Sequence, residues 1–180
     1  MAAKRSQRAL GELWTCPKCG RKLVGRNMWH SCSDATVERF LRGAGKRERA
    51  LYQGFERMIA SFGPYHVSPA KTRIAFMARV RFAGVTSIGP RGLAIAFALP
   101  EPLASPRFAK VEEVAPGWWA HRLRITEPSQ LDRELARWLR ESYRLMGMQE
   151  RLARAPARPA RAGTGSGSAA RSRAPSRRRG

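Results

Sequence analysis

The chain has 180 residues, enough for one domain of ordinary size with small attachments. Lysine and arginine number 35 against 13 acids, a formal charge of +22. That balance favours polyanions, nucleic acid first and an anionic membrane surface second. No apolar run approaches the roughly 20 residues of a spanning helix, and no hydrophobic leader core follows the basic first residues, so the expected location is the cytoplasm.

Residues 1–12 read as a flexible basic arm. A zinc module follows over residues 13–33. Cys16 and Cys19, ten intervening residues, then His30 and Cys32 form Cys-x₂-Cys…His-x-Cys and use all three cysteines. Structural Zn²⁺ takes four sulfur or imidazole ligands tetrahedrally, which this set supplies. Pro17 and Gly20 turn the first pair toward one point, and the i, i+2 spacing of His30 and Cys32 puts both on one side of an extended segment. Leu23-Val24 reads as a short strand between the pairs. A redox Cys-x-x-Cys would leave His30 and Cys32 unexplained, a disulfide framework would leave one cysteine over, and no His-x-Glu precedes Cys16 as a zinc deaminase requires. Four protein ligands leave no open position, so the predicted metal is structural.

An α+β domain is expected over 34–147. Asp34 or Thr36 caps a first helix with Val37, Phe40 and Leu41 that stops near Gly43. Leu51, Phe55, Met58, Ile59 and Phe62 give helical spacing from about Lys46 to Phe62. From Tyr65 to Thr126 the period becomes two: Ile74, Phe76, Ala78, Val80 and Phe82 alternate with Arg73, Ala75, Met77, Arg79 and Arg81. Leu93, Ile95, Phe97 and Leu99 alternate with alanines, and Leu123 and Ile125 with Arg122 and Arg124. Three or more antiparallel strands follow from this pattern. A last helix starts near 126–129, with Ser129 and Asp132 resembling a capping box, and carries Leu131, Leu135, Trp138, Leu139 and Tyr143. The resulting order is helix, helix, antiparallel sheet, helix, with the helices segregated to one face. Residues 148–180 hold nine arginines, no aromatic residue and little to bury, and are expected to be disordered.

The alternation predicts a sheet face bearing Arg73, Arg79 and Arg81, joined by Arg122 and Arg124, with Ala94, Ala96 and Ala98 as a low floor. Arginine's fixed fork suits a phosphate backbone. Arg21, Lys22 and Arg26 inside the metal loop are further candidates for phosphate contact. Trp118 and Trp119, after Pro116-Gly117, either stack bases or pack at the edge of the core. Trp14 and Trp29 read as packing of the zinc module.

Trp14-Thr-Cys-Pro-Lys-Cys-Gly20, Trp29-His-Ser-Cys32, Lys71-Thr-Arg-Ile-Ala-Phe76, Arg79-Val-Arg-Phe-Ala-Gly84 and His121-Arg-Leu-Arg-Ile-Thr126 together resemble a bacterial family, domain of unknown function 5655. Some of its members carry a zinc-ribbon-like segment at the front. The resemblance spans roughly 14–145 and implies a small α+β domain in a bacterial cytoplasmic protein. It implies no activity and no catalytic residues.

Three functions remain open on the sequence. The first is a zinc-stabilised basic protein that binds DNA or RNA through the phosphate backbone. The second is a protein–protein adaptor that docks through the zinc module, with the charge incidental; arginines outnumber lysines 29 to 6, as GC-rich coding alone would produce. The third is a small-molecule or enzymatic pocket near His66, Lys71 and His121. No phosphate-binding glycine loop, Gly-x-Ser-x-Gly or His-Glu-x-x-His is present, so no catalytic residue is assigned.

Overall fold

The computed structural model describes residues 13–23, 26, 30, 32 and 35–148. The arm expected over 1–12, Val24, Trp29, the Asp34 cap and the tail from 149 onward lie outside the described residues.

Strands β1 (Trp14–Thr15) and β2 (Lys22–Leu23) pair antiparallel, Trp14 opposite Leu23. Helix α1 spans Val37–Phe40, and the Thr36 hydroxyl accepts from the Arg39 N–H at 3.1 Å. That bond satisfies one of the donors a helix start leaves open. Helix α2 spans Lys46–Ala60 and buries Leu51, Tyr52, Phe55 and Ile59, one stripe at the helical period.

Six strands follow: β3 (His66–Ala70), β4 (Arg73–Met77), β5 (Arg81–Gly89), β6 (Gly92–Leu99), β7 (Phe108–Ala115) and β8 (Trp118–Ile125). They form one antiparallel sheet in the order β3-β4-β5-β6-β8-β7. The chain then makes a 3₁₀ turn at Pro128–Gln130, helix α3 over Arg133–Ser142 and a π turn at Tyr143–Gly147.

Two boundaries depart from the sequence reading. The run 73–82 is two strands, because the chain reverses through 78–80; Ala78 and Val80 are buried in that turn. The capping box belongs to Glu127 and Gln130 on the 3₁₀ turn, and Asp132 caps α3 alone by accepting from Leu135 N–H at 2.9 Å. Six strands extend the expected three or more.

Both long helices pack on one face of the sheet. Phe55 of α2 meets Phe76 of β4 edge-on at 5.4 Å, and Trp138 of α3 lies 4.9 Å from Phe108 of β7. Phe55 is fully buried, and burying such a side chain contributes about 1.5–3 kcal/mol. Alanine there would cost about 3–5 kcal/mol, since a cavity adds to the lost transfer. Ser142 and Tyr143 pin α3 by donating to the carbonyls of Phe82 at 2.8 Å and Pro64 at 3.0 Å.

Register places Ala75, Gly84, Ala96 and Arg122 opposite one another along a line across β4, β5, β6 and β8. Opposite residues share a face. This is the face away from the core, and among the described residues no helix packs on it.

Candidate metal centre and helix-free arginine face

The β1–β2 hairpin is closed by two backbone bonds at the first ligand pair, Cys16 N–H to Arg21 O and Gly20 N–H to Cys16 O, both 2.8 Å. Gly20 has φ +68°, a conformation glycine adopts without penalty. The turn therefore holds Cys16 and Cys19 toward the interior of the loop. Cys16 and Leu23 are buried, and the Trp14 ring meets His30 edge-on at 6.5 Å.

The Sγ atoms of Cys16, Cys19 and Cys32 and a ring nitrogen of His30 all lie within 4.8 Å of one another. Cys16 Sγ is 3.7 Å from Cys32 Sγ, and Cys32 Sγ is 3.0 Å from His30 Nε2. Desolvation pushes the Cys16 thiol up, but backbone N–H groups of Lys18 and Cys19, with the His30 and Cys19 side chains, overcome it and bring Cys16 to about 6. Desolvation and the neighbouring Cys16 and Cys19 sulfurs push Cys32 up to about 11. One sulfur carries its charge readily and its neighbour is opposed by it, a conflict that a cation relieves. These four residues can hold a metal ion.

The predicted arginines separate into three groups. Arg73, Arg81 and Arg122 converge on a shallow cavity of about 150 Å³ on the helix-free face. Its floor is Ala75, Gly84, Ala96, Ala98 and Ala120, low enough to leave the sheet backbone accessible. A Cβ on Gly84 would stand 2.7 Å from the Ile74 carbonyl oxygen, so only glycine keeps these strands at this spacing. Desolvation and the guanidinium groups of Arg73 and Arg122 hold Arg81 below its ordinary range, the mark of like charges gathered in one place. Arg122 bonds Glu112 at 2.6 Å, and Glu112 also pairs with Lys110.

Arg79 is not on this face with Arg81. It sits in the 78–80 turn, where its N–H donates to Gly147 O at 2.9 Å. Arg124 lies opposite Ala94, exposed and outside the cavity lining. Arg21 donates to the Pro69 carbonyl, clasping the metal module to β3. Lys22 lies beside His66, and Arg26 is exposed in the metal loop.

The pocket expected near His66, Lys71 and His121 is not formed. His66 on β3 and His121 on β8 are four strands apart, about 19 Å at the usual inter-strand spacing. His121 is fully buried and stacked on Phe97 at 5.1 Å. Its Nε2 accepts from Leu103 N–H at 2.9 Å, and its Nδ1–H donates to Trp119 O at 3.1 Å. It is a core residue locked as one neutral tautomer. Lys71 is exposed in the β3–β4 turn.

Gly84, Ala120 and the wall residues Val114 and Trp118 escaped the sequence reading as parts of this face, although Trp118 was a candidate for stacking. Strand register, which alternation alone does not give, brings them together. Trp119 pairs with Leu99 and Glu113, on the opposite face from Trp118.

No described helix is long and apolar enough to cross a membrane. No curated protein and no solved structure matches the chain. The family described as domain of unknown function (DUF5655) matches residues 37–146, which run from the start of α1 into the final π turn. The zinc-ribbon-like front segment with its Cys₃His cluster precedes that match. The chain belongs to this family of uncharacterised domains.

Proposed function

We propose that this protein is a zinc-stabilised nucleic-acid-binding protein of the bacterial cytoplasm, gripping the phosphate backbone with the helix-free face of its sheet. The observation that carries the reading is the convergence of Arg73, Arg81 and Arg122 over a floor of alanine and glycine. Gathering three guanidinium groups opposes folding unless anions relieve it: Glu112 pairs with Arg122, but among the described residues neither Arg73 nor Arg81 forms an ion pair. Phosphate contacts of this kind supply affinity with little sequence information.

Three thiols and one imidazole are a ligand set that favours zinc. At a Zn–S distance of about 2.3 Å an ideal tetrahedron has S···S edges of about 3.8 Å; the Cys16–Cys32 separation is 3.7 Å, Cys32–His30 is 3.0 Å, and all four ligand atoms lie within 4.8 Å of one another. Three thiolates and one imidazole fill the coordination sphere, so the ion folds the loop and performs no chemistry. The loop's Arg26 and the nine arginines of 151–180 add long-range attraction.

The test is titration of the nuclease-treated, full-length, zinc-loaded protein against labelled DNA and RNA over a salt series. The expected result is a log K that falls linearly with log salt with a slope of several units. A slope near zero refutes the reading.

A further inference from the structure

Resting on the nucleic-acid reading above, the geometry points to a single-stranded ligand: one unpaired base lies on Trp118 while the phosphates beside it are held by Arg81, Arg73 and Arg122. Trp118 is half-buried on β8, on the same face as Ala120 and Arg122, and it walls the cavity opposite the arginines of β4 and β5. Beside it Val114 of β7 is 51% exposed, the most exposed large hydrophobic side chain among the described residues. An apolar and aromatic wall facing a cationic one matches a nucleotide, which has a flat uncharged base and a charged phosphate. A bare polyanion needs only the second wall.

Dimensions carry the argument further. Three strand steps separate β4 from β8, about 14 Å at the usual spacing, and the floor residues Ala75, Gly84, Ala96, Ala98 and Ala120 carry at most a methyl group, with Thr86 and Arg81 of β5 beside them. A planar ring can therefore approach the sheet backbone. A shallow cavity of about 150 Å³ has room for a group of that size. A duplex offers base edges in its grooves and keeps base faces stacked inside, so Trp118 would have nothing to stack on. A single strand exposes those faces, and stacking on an aromatic side chain is tolerant of sequence. Glu112, at the margin, bonds Arg122 and Lys110, and a phosphate arriving at Arg122 displaces it.

The experiment uses the full-length zinc-loaded protein, labelled oligo(dT), and a mixed-sequence strand with and without its annealed complement, at one salt concentration. The single strands are expected to bind at least about tenfold more tightly than the duplex. Trp118→Ala should weaken oligo(dT) roughly 5- to 150-fold, the span of one stacked base, and leave duplex binding unchanged. Trp118→Phe keeps a π face and the local packing, so it should stay within about threefold of wild type. It should also abolish the Trp118 share of tryptophan quenching on oligo(dT) addition, visible as the difference between the two proteins. Equal affinity for strand and duplex, or a quench identical in wild type and Trp118→Phe, overturns the stacking proposal and leaves the phosphate reading standing. No binding to any of the three overturns both.

Discussion

Replacing Arg73 and Arg81 together by alanine tests the arginine face where its chemistry is least shared. Both point into one cavity, and neither forms an ion pair among the described residues, whereas Arg122 already engages Glu112. Each phosphate contact on a single strand contributes about 0.7 to the slope of log K against log salt, so the double variant should lose about 1.4. Between 50 and 200 mM salt, a fourfold change, that difference is a little over 0.8 in log K. The variant should thus lose about sevenfold less affinity than wild type over this range. The fold should gain, because partial desolvation and two like charges hold Arg81, exposed as it is, below its ordinary range. Relief of like-charge contact amounts to a few tenths of a kcal/mol, or roughly 1–2 °C in Tm. Fluorescence anisotropy at four salt concentrations and a thermal melt give both numbers. Unchanged slope with unchanged Tm would refute the argument, since the cluster would then neither bind phosphate nor strain the fold.

Further outcomes follow from other parts of the molecule. Glu112→Gln removes the carboxylate that occupies Arg122 and should tighten oligonucleotide binding about two- to fivefold in the same anisotropy assay; weaker binding would assign Glu112 a supporting role. Chelation should release one zinc per chain, measured colorimetrically, and expose residues 13–32 to protease while the body keeps its cooperative melt. Loss of the whole melt would show that the two parts fold as one. His121→Phe keeps the stack on Phe97 but removes the acceptor of Leu103 N–H and a donor to Trp119 C=O, costing about 1–3 kcal/mol in urea denaturation. Burial holds His121 below its ordinary value, so the unfolded chain takes up a proton that the folded chain refuses. Wild-type stability should be full above about pH 6.5 and fall as the pH drops through that value. The variant's profile should be flatter, with His66, also lowered by burial, supplying the residual slope.

The metal cluster was legible because its ligands are close in sequence and their spacing is itself geometry. Helix α2 was legible because Leu51, Phe55 and Ile59 repeat at the helical period and a sheet buries that stripe. The stretch 73–82 misled because Ala78 and Val80 keep the alternation going through a turn, where they are buried as thoroughly as strand residues. Arg79 was placed beside Arg81 for that reason alone. Strand β7 left little signal: it is an edge strand, with Lys110, Glu113 and Val114 exposed, so no clean alternation marks it. The arginine face was half legible. The alanines of β6 and Ala75 beside Arg73 announced a low floor, but Gly84 and Ala120 joined it through register across two other strands, and register is a tertiary fact.

Strand β3 ends the sheet opposite β7, and a bare edge invites pairing with another chain. Two devices blunt it. Pro69 withdraws a donor, and Arg21, reaching across from the metal hairpin, occupies the carbonyl of that same residue. If the four ligands hold a metal, losing it should loosen the hairpin and with it the Arg21 cover on this edge. Demetallated protein should self-associate through β3 before the body melts, turning metal starvation into loss of dispersed protein.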